Sequence, residues 1–194
     1  LEDHIVWSKF SDASWDHAGN GFYYSRYDAP KEGTALQEQN YFQKLYYHRV
    51  GDDQINDKLI YERKNQKEWG IGGTVTEDGR YLVLPIWKGT NRETQIFYKD
   101  FNDKSGKVVE LITGFDAQYT FIGNFGHTFY FQTDKNAPLG KVISIDVREP
   151  KVRKWSLTVH LEEWPRTEHN SQLASEIAPL TIGMNDEFGM LFDG

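Results

Sequence analysis

The sequence that decides the fold is EWGIGGTVTEDGRYLVLPIW, residues 68–87. Two runs rich in strand-forming residues flank Asp78-Gly79, and Asp-Gly is a strong hairpin signal because glycine adopts a positive φ at little cost. Similar hairpins are predicted in SWDHAGNGFYYS at residues 14–25 and in YTFIGNFGHTFYF at residues 119–131. They recur roughly every 50 residues, a spacing typical of propeller blades. The pattern predicts a chain built from repeated β-hairpin units.

Each predicted unit consists of hairpin, turn, strand, turn and strand, which is the four-stranded antiparallel blade of a β-propeller. We therefore predict an all-β partial β-propeller of about three blades, with an irregular C-terminal tail or an incomplete fourth blade. The approximate blade ranges are residues 1–62, 63–112 and 113–150, followed by a divergent tail at 151–194. A strand at residues 5–11 enters the first blade, and weaker strand signals occur at 155–159 and 180–192. A β-sandwich is the rival fold, but the near-constant recurrence of glycine-bearing hairpins favours the propeller.

Composition excludes several classes of function. The 194 residues carry a net charge of -7, whereas a nucleic-acid surface needs a basic patch. There is no cysteine, so neither a disulfide framework nor a thiolate metal site is expected. No apolar run reaches the ~18 residues that indicate a membrane span. We expect no cofactor, no nucleic-acid or membrane partner, and a cytoplasmic or periplasmic location.

Four motifs resemble the propeller of the prolyl oligopeptidase family. They are KFSDASW at residues 9–15, QKLYYH at 43–48, TEDGRY at 76–81 and KVISID at 141–146. The resemblance runs from about Lys9 to Val147 and fades after about Arg153. It implies blades of a propeller that caps an α/β-hydrolase domain in a serine peptidase. That family cleaves short peptides after proline, and its propeller gates entry and positions the peptide.

The α/β-hydrolase nucleophile is a serine on a Gly-x-Ser-x-Gly turn, and no serine between Ser8 and Ser175 stands in that pattern. We therefore assign no catalytic residue to this chain and expect no hydrolysis from it alone. The partner that the resemblance implies is an α/β-hydrolase domain, together with short proline-containing peptides.

The resemblance also implies residues that line the substrate cavity. By their place in the motifs these are Phe10, Ile71, Trp87 and Thr90. An apolar lining suits the hydrophobic residue that precedes the cleaved proline. Many family members carry an arginine at the position of Trp87, where it reaches a substrate carbonyl. The alternative is that Phe10, Ile71 and Trp87 pack between blades. The polar loop at residues 28–40 corresponds to a segment that gates substrate entry, or it is a plain solvated loop.

Other candidate chemistry is interpreted as structural. The histidines lack metal-site spacing, so we predict no metal site; they stand at positions 4, 17, 48, 127, 160 and 169. The acidic pairs at 52–53 and 77–78 lie in turns and are expected to face solvent, unlike the paired carboxylates of a glycosidase. The glycines at 70–73 are followed by neither Lys-Ser/Thr nor a helix, which argues against a phosphate loop.

Two other functions remain open from the sequence. The chain is alternatively a non-catalytic interaction module that self-associates into an oligomer through open blade edges, because unpaired edges template further strands. A small propeller glycosidase or lectin is the third interpretation, and it predicts sugar binding.

Overall fold

The computed structural model describes residues 3–30 and 40–149. These residues form twelve β-strands and one 3-10 helix at Gln54–Asn56. The strands are β1 Ser14–Trp15, β2 Gly21–Arg26, β3 Lys44–Arg49, β4 Lys58–Tyr61, β5 Trp69–Ile71, β6 Thr74–Val75, β7 Tyr81–Lys88, β8 Thr94–Asp100, β9 Val108–Ile112, β10 Tyr119–Phe125, β11 Thr128–Thr133 and β12 Lys141–Asp146. The prediction of an all-β chain of consecutive antiparallel sheets is confirmed. The predicted signals at 155–159 and 180–192, and His160 and His169, lie outside the described residues.

The first sheet has the strand order β1-β2-β3-β4, each strand antiparallel to the next. The hairpin between β1 and β2 turns at Gly19, whose φ is +71°. The Asp16 carboxylate accepts a hydrogen bond from the Asn20 amide at 2.9 Å, and the Gly19 amide donates to the Asp16 carbonyl. A side-chain acceptor and a glycine with positive φ are the two features that such a turn needs.

The second sheet has the order β5-β7-β8-β9, and β6 also pairs with β7. This sheet therefore has five strands where four were predicted. The register of β5 and β6 on β7 is continuous, with Ile71 opposite Ile86 and Thr74 opposite Val83. Gly72 donates to the carbonyl of Pro85 at 2.9 Å, but proline has no N–H to return the bond. β5 and β6 are therefore two parts of one interrupted strand, and the blade has four strand positions.

The turn between β6 and β7 repeats the first hairpin turn. Gly79 has φ +68°, and its amide donates to the carbonyl of Thr76 at 2.8 Å. The Thr76 hydroxyl lies 2.6 Å from an Asp78 carboxylate oxygen and accepts from the Tyr81 amide at 2.9 Å. The predicted Asp-Gly hairpin is therefore present, with Thr76 closing the turn from within.

A shared core lies between the first two sheets. Alternation along β7 places Leu82, Leu84 and Ile86 on one face, and all three are fully buried. Burying a side chain of this size stabilises the fold by about 1.5–3 kcal/mol. The buried members of this core are Tyr23, Leu45, Trp69, Ile71, Leu82, Leu84, Ile86 and Phe97.

The chain divides into two compact units, and the second begins at Asp116. Among the described residues this unit contains the sheet β10-β11-β12. Phe121, Phe129 and Phe131 pack edge to face or tilted, with ring centroids 5.5–6.3 Å apart. A β-bulge between Phe121 and Gly123 lets the β10 strand bend while the pairing with β11 continues.

The predicted strand at residues 5–11 is wrong. This segment is not a strand, because its backbone leaves the extended region twice, at Trp7 with φ 60° and at Phe10 with φ 53°. Polar contacts hold it instead. The Ser25 amide donates to the Ser11 hydroxyl at 2.7 Å, and the Tyr27 amide donates to the Trp7 carbonyl at 3.1 Å.

Candidate functional site

The buried side chain of Gln43 connects two of the predicted site residues. Its amide nitrogen donates to the carbonyls of Lys9 and Phe10, at 2.9 and 3.2 Å. Its amide oxygen accepts from the Ile71 amide at 2.8 Å. Gln43 is 1% exposed, so these bonds form away from competing water. It fixes the backbone at Phe10 against the first strand of the second blade.

Ile71 itself lies in the core. Its side chain is fully buried between the two sheets, and its carbonyl accepts a hydrogen bond from the hydroxyl of Ser25. This burial favours the packing alternative, and cavity lining by Ile71 stays a prediction. The backbone N–H and carbonyl of Ile71 are thus bonded to the side chains of Gln43 and Ser25.

Phe10, unlike Ile71, has a solvent-exposed side chain. Its side chain is 72% exposed, and its φ of 53° lies in the left-handed region that bulky residues rarely adopt. Phe42, directly before Gln43, also has a positive φ, and its side chain is 41% exposed. The exposed aromatic side chains of Phe10 and Phe42 thus lie at the two ends of the hydrogen bond that Gln43 donates to the Phe10 carbonyl.

Trp87 lies on the face of β7 opposite to the core residue Ile86. Its indole covers Gly70, its cross-strand partner, and also reaches Gly72. A Cβ at Gly70 would lie less than 3.0 Å from three atoms of the indole ring. Glycine at this position is therefore required by the close approach of the ring.

Thr90 is exposed in the turn that follows β7. The turn is closed by the Asn91 amide, which donates to the Lys88 carbonyl at 3.1 Å, and the Gly89 amide reaches the Glu68 carbonyl at 3.4 Å. Thr90 thus stands at the end of the strand that carries Trp87. The structure brings Phe10, Ile71 and Trp87 to one region of the first two blades, with Ile71 buried beneath it.

Sequence reasoning missed Gln43, although the motif QKLYYH contains it. The available signal was the period of two, because Gln43 falls on the same face as the buried residue Leu45. A polar residue on a core-facing position needs hydrogen-bond partners, and here it finds three backbone groups.

Charged groups at the first hairpin form a second polar cluster. The Tyr47 hydroxyl donates to the Asp16 carboxylate at 2.6 Å. Burial, with the bond to Asp16, raises the pKa of Tyr47 to about 12. Burial tends to raise the pKa of Asp16, but the Tyr47 hydroxyl and the turn amides outweigh it and lower that pKa. The pair fastens the hairpin turn to β3.

The predicted turn acids are solvent-exposed, as expected for turns: Asp52, Asp53, Glu77 and Asp78. Among residues 3–30 and 40–149 there is no group of three or more side chains able to hold a metal ion. Within the same ranges, no helix has the length and apolarity that a membrane crossing requires.

The predicted gating loop is described only at its ends, because residues 31–39 lie outside the described part of the chain. At its base, the Lys44 ammonium pairs with the Asp28 carboxylate at 2.7 Å. An open cavity of about 200 Å³ lies beside this pair, with Phe42, Glu62 and Arg63 in its lining. Gating by this loop stays a prediction.

Comparison with known proteins gives the family. The family model described as the prolyl oligopeptidase N-terminal β-propeller domain matches residues 1–175. Prolyl oligopeptidase A of Amanita bisporigera is 34% identical over an alignment of 163 residues, which covers 78% of this chain and 21% of that protein. Prolyl endopeptidase of Elizabethkingia meningoseptica is 36% identical over 155 residues, covering 80% of this chain and 22% of the relative.

A solved structure agrees with the fold. Prolyl oligopeptidase B from Galerina marginata, bound to a 35mer hydrolysis and macrocyclization substrate, superposes with a TM-score of 0.70 and 33% sequence identity. The match covers 76% of this chain and 21% of that one. The chain thus spans about a fifth of the length of these relatives. It is an all-β partial propeller and belongs to the prolyl oligopeptidase N-terminal β-propeller domain family.

Proposed function

We propose that this chain serves as propeller blades of a serine peptidase that cleaves short peptides after proline. In that role it restricts entry to small substrates and positions them, while an α/β-hydrolase domain carries out acyl transfer. The observation that carries the proposal is the family match over residues 1–175, which spans all three sheets. The relatives named prolyl endopeptidase and prolyl oligopeptidase support the substrate class.

The proposal assigns the exposed side chains of Phe10 and Thr90 and the half-buried side chain of Trp87 to the cavity. Phe10 and Trp87 supply apolar and aromatic surface, and Thr90 adds a hydroxyl at the end of β7. Ile71 supports them from the core. The indole of Trp87 supplies apolar contact where an arginine would bind a carbonyl, so we expect peptide binding here to depend on side-chain shape.

Reconstitution tests this function. The chain is added to a separately expressed catalytic domain of a family member, and cleavage after proline is measured for a short peptide and for a long one of the same cleavage sequence. We expect the chain to suppress cleavage of the long peptide while cleavage of the short one persists. Unchanged cleavage of the long peptide would contradict the filtering role.

A matched pair of variants tests the lining. Phe10→Ala should raise the KM for the short peptide in the reconstituted mixture, because it removes an exposed aromatic contact. Phe125→Ala is the control, since Phe125 is also an exposed aromatic residue, at 52%, but is not among the residues that the resemblance places in the cavity. Equal effects of the two variants would remove Phe10 from the cavity.

Self-association is the second candidate, and one observation favours it. β4 is the last strand of its sheet, and its Leu59 side chain is 42% exposed. Ile55, in the adjacent 3-10 helix, is 89% exposed. Apolar side chains along a sheet edge are a surface on which a second copy can pair. The solution mass by light scattering decides, with a stable multiple of 22.6 kDa as the expected result.

A further inference from the structure

A buried histidine of the first blade stands between two carboxylates. His48 lies on β3 with its side chain 1% exposed, and its Nδ1 is 2.7 Å from Oδ1 of Asp57. The Asp57 side chain is also 1% exposed, and its other oxygen accepts from the Tyr24 hydroxyl at 2.5 Å. Burial and the bond to Asp57 raise the pKa of Tyr24, so this hydroxyl keeps its proton and remains a donor. The Nδ1 side of His48 is therefore fully occupied.

The other ring nitrogen faces the N-terminal segment. His48 Nε2 is buried and has no hydrogen-bond partner among the described residues. The closest opposite charge is Oδ1 of Asp3, at 3.9 Å. That carboxylate already accepts from the Gly51 amide at 2.9 Å, which keeps it beside the histidine.

Asp3 belongs to the segment 3–13, which has no strand pairing to hold it. Farther along, Gln54 exchanges two hydrogen bonds with the backbone of Val6, each of 3.1 Å. The Trp7 carbonyl accepts from Tyr27. Hydrogen bonds to Ser11, Lys9 and Phe10 hold the far end of the segment, so the contacts nearest His48 are those of Asp3, Val6 and Trp7.

We propose that His48 is a pH-sensitive clamp for the N-terminal segment 3–13. In neutral His48 with its proton on Nδ1, the lone pair of Nε2 points toward the Asp3 carboxylate and gives no attraction. A second proton places an N–H donor and a positive charge on that side, between Asp3 and Asp57. The segment is held more firmly when His48 is charged, and less firmly when it is neutral.

Among residues 3–30 and 40–149, the carboxylates within 4.0 Å of the imidazole nitrogens are those of Asp3 and Asp57. Phe22 packs against the imidazole with ring centroids 5.2 Å apart. On β2, the charge of Arg26 acts on the Tyr24 hydroxyl at the far side of Asp57. Arg49 and Lys58, next in sequence to His48 and Asp57, have exposed side chains. The Asp57 carboxylate next to the imidazole is in turn bonded to the Tyr24 hydroxyl.

Amide exchange by NMR tests the clamp in the full chain. The reporters are the amides of Gly51 and Tyr27, which donate to Asp3 and to Trp7, with rates corrected for the intrinsic pH dependence of exchange. From about pH 5 to about pH 8 we expect their protection to fall about two- to fivefold, the range for one ion pair. The ring nitrogen shifts of His48, recorded on the same samples, report its protonation state at each pH.

Three variants separate the clamp from a general loss of stability. His48→Asn keeps a donor toward Asp57 but has no second nitrogen, and Asp3→Asn keeps an acceptor for Gly51 but has no charge. Both should abolish the pH dependence. Asp12→Asn is the control, because Asp12 is an exposed carboxylate of the same segment, and it should retain the wild-type dependence. Constant protection in the wild type, a His48 ring that does not titrate over this range, or a pH dependence that survives His48→Asn would overturn the proposal.

Discussion

The contact between Gly70 and Trp87 provides the sharpest test of the second blade. The two residues are directly opposite each other on β5 and β7, and the indole lies on the glycine where a side chain would otherwise stand. An aromatic ring over a cross-strand glycine shields the backbone and fills the missing volume. Gly70→Ala adds one methyl group beneath that ring.

The magnitude follows from the geometry. The new Cβ would lie far less than 3.0 Å from the Cε2, Nε1 and Cζ2 atoms of Trp87, so the indole must move by more than about 1 Å to reach a normal carbon contact of about 3.5 Å. Overpacking of this kind costs about 1–3 kcal/mol. Replacing glycine by alanine in an extended backbone returns about 0.4–1 kcal/mol through the unfolded chain. We expect a net loss of about 1–2 kcal/mol in the free energy of unfolding.

A double-mutant cycle with Trp87→Ala isolates the contact. In that background the methyl group meets no ring, so Gly70→Ala should be neutral or stabilising by up to about 1 kcal/mol. The free energy of unfolding is measured by urea denaturation followed by far-ultraviolet circular dichroism, which does not depend on the tryptophan removed. If Gly70→Ala costs the same in both backgrounds, the indole does not lie on Gly70 and the placement of Trp87 is wrong.

Three further outcomes are expected. Gln43→Leu leaves three backbone groups unpaired and should lower the free energy of unfolding in urea by at least about 2 kcal/mol, whereas Gln132→Leu, at an exposed strand position, should change it by less than about 0.5 kcal/mol. The pKa of Tyr47 is about 12 in the fold against an ordinary value of 10.0, so its stabilising contribution is complete below pH 10.0 and is lost as the pH rises toward about 12. Tyr47→Phe, which cannot ionise or bond to Asp16, should show a smaller loss over that window in pH-dependent urea melts. Phe10→Asn should raise the urea midpoint, by about 0.5–1 kcal/mol in free energy, because asparagine tolerates a positive φ better than phenylalanine; an unchanged or lower midpoint would mean that the phenyl group contributes packing.

The hairpins were predictable because their signals are local. Asp78-Gly79 contains its own turn chemistry, and the structure has the positive φ at Gly79 that the pair predicts. The turn at Gly19 follows the same rule with a different acceptor, the side chain of Asp16. In each case the residues that decide the conformation lie within six positions of one another, so the turn depends little on distant contacts.

The N-terminal segment was not predictable for the opposite reason. Its apolar residues resemble a strand, yet Trp7 and Phe10 adopt positive φ values that their Cβ atoms disfavour. The contacts that impose this geometry come from Gln43 and Tyr27, which are distant in sequence. Local propensity carries no information about such partners, and tertiary hydrogen bonds overrode it.

The same reasoning separates the two predicted site residues that Gln43 connects. Ile71 is buried and satisfied on every side, so packing alone explains its apolar character. Packing does not explain Phe10, whose side chain is 72% exposed and whose backbone is strained at φ 53°. The phenyl group contributes little burial, and the positive φ costs conformational energy. Each of these features leaves the fold less stable than a residue suited to this position would. A contact with something outside these two blades would account for both features, and that places Phe10 ahead of Ile71 among the candidates for peptide binding.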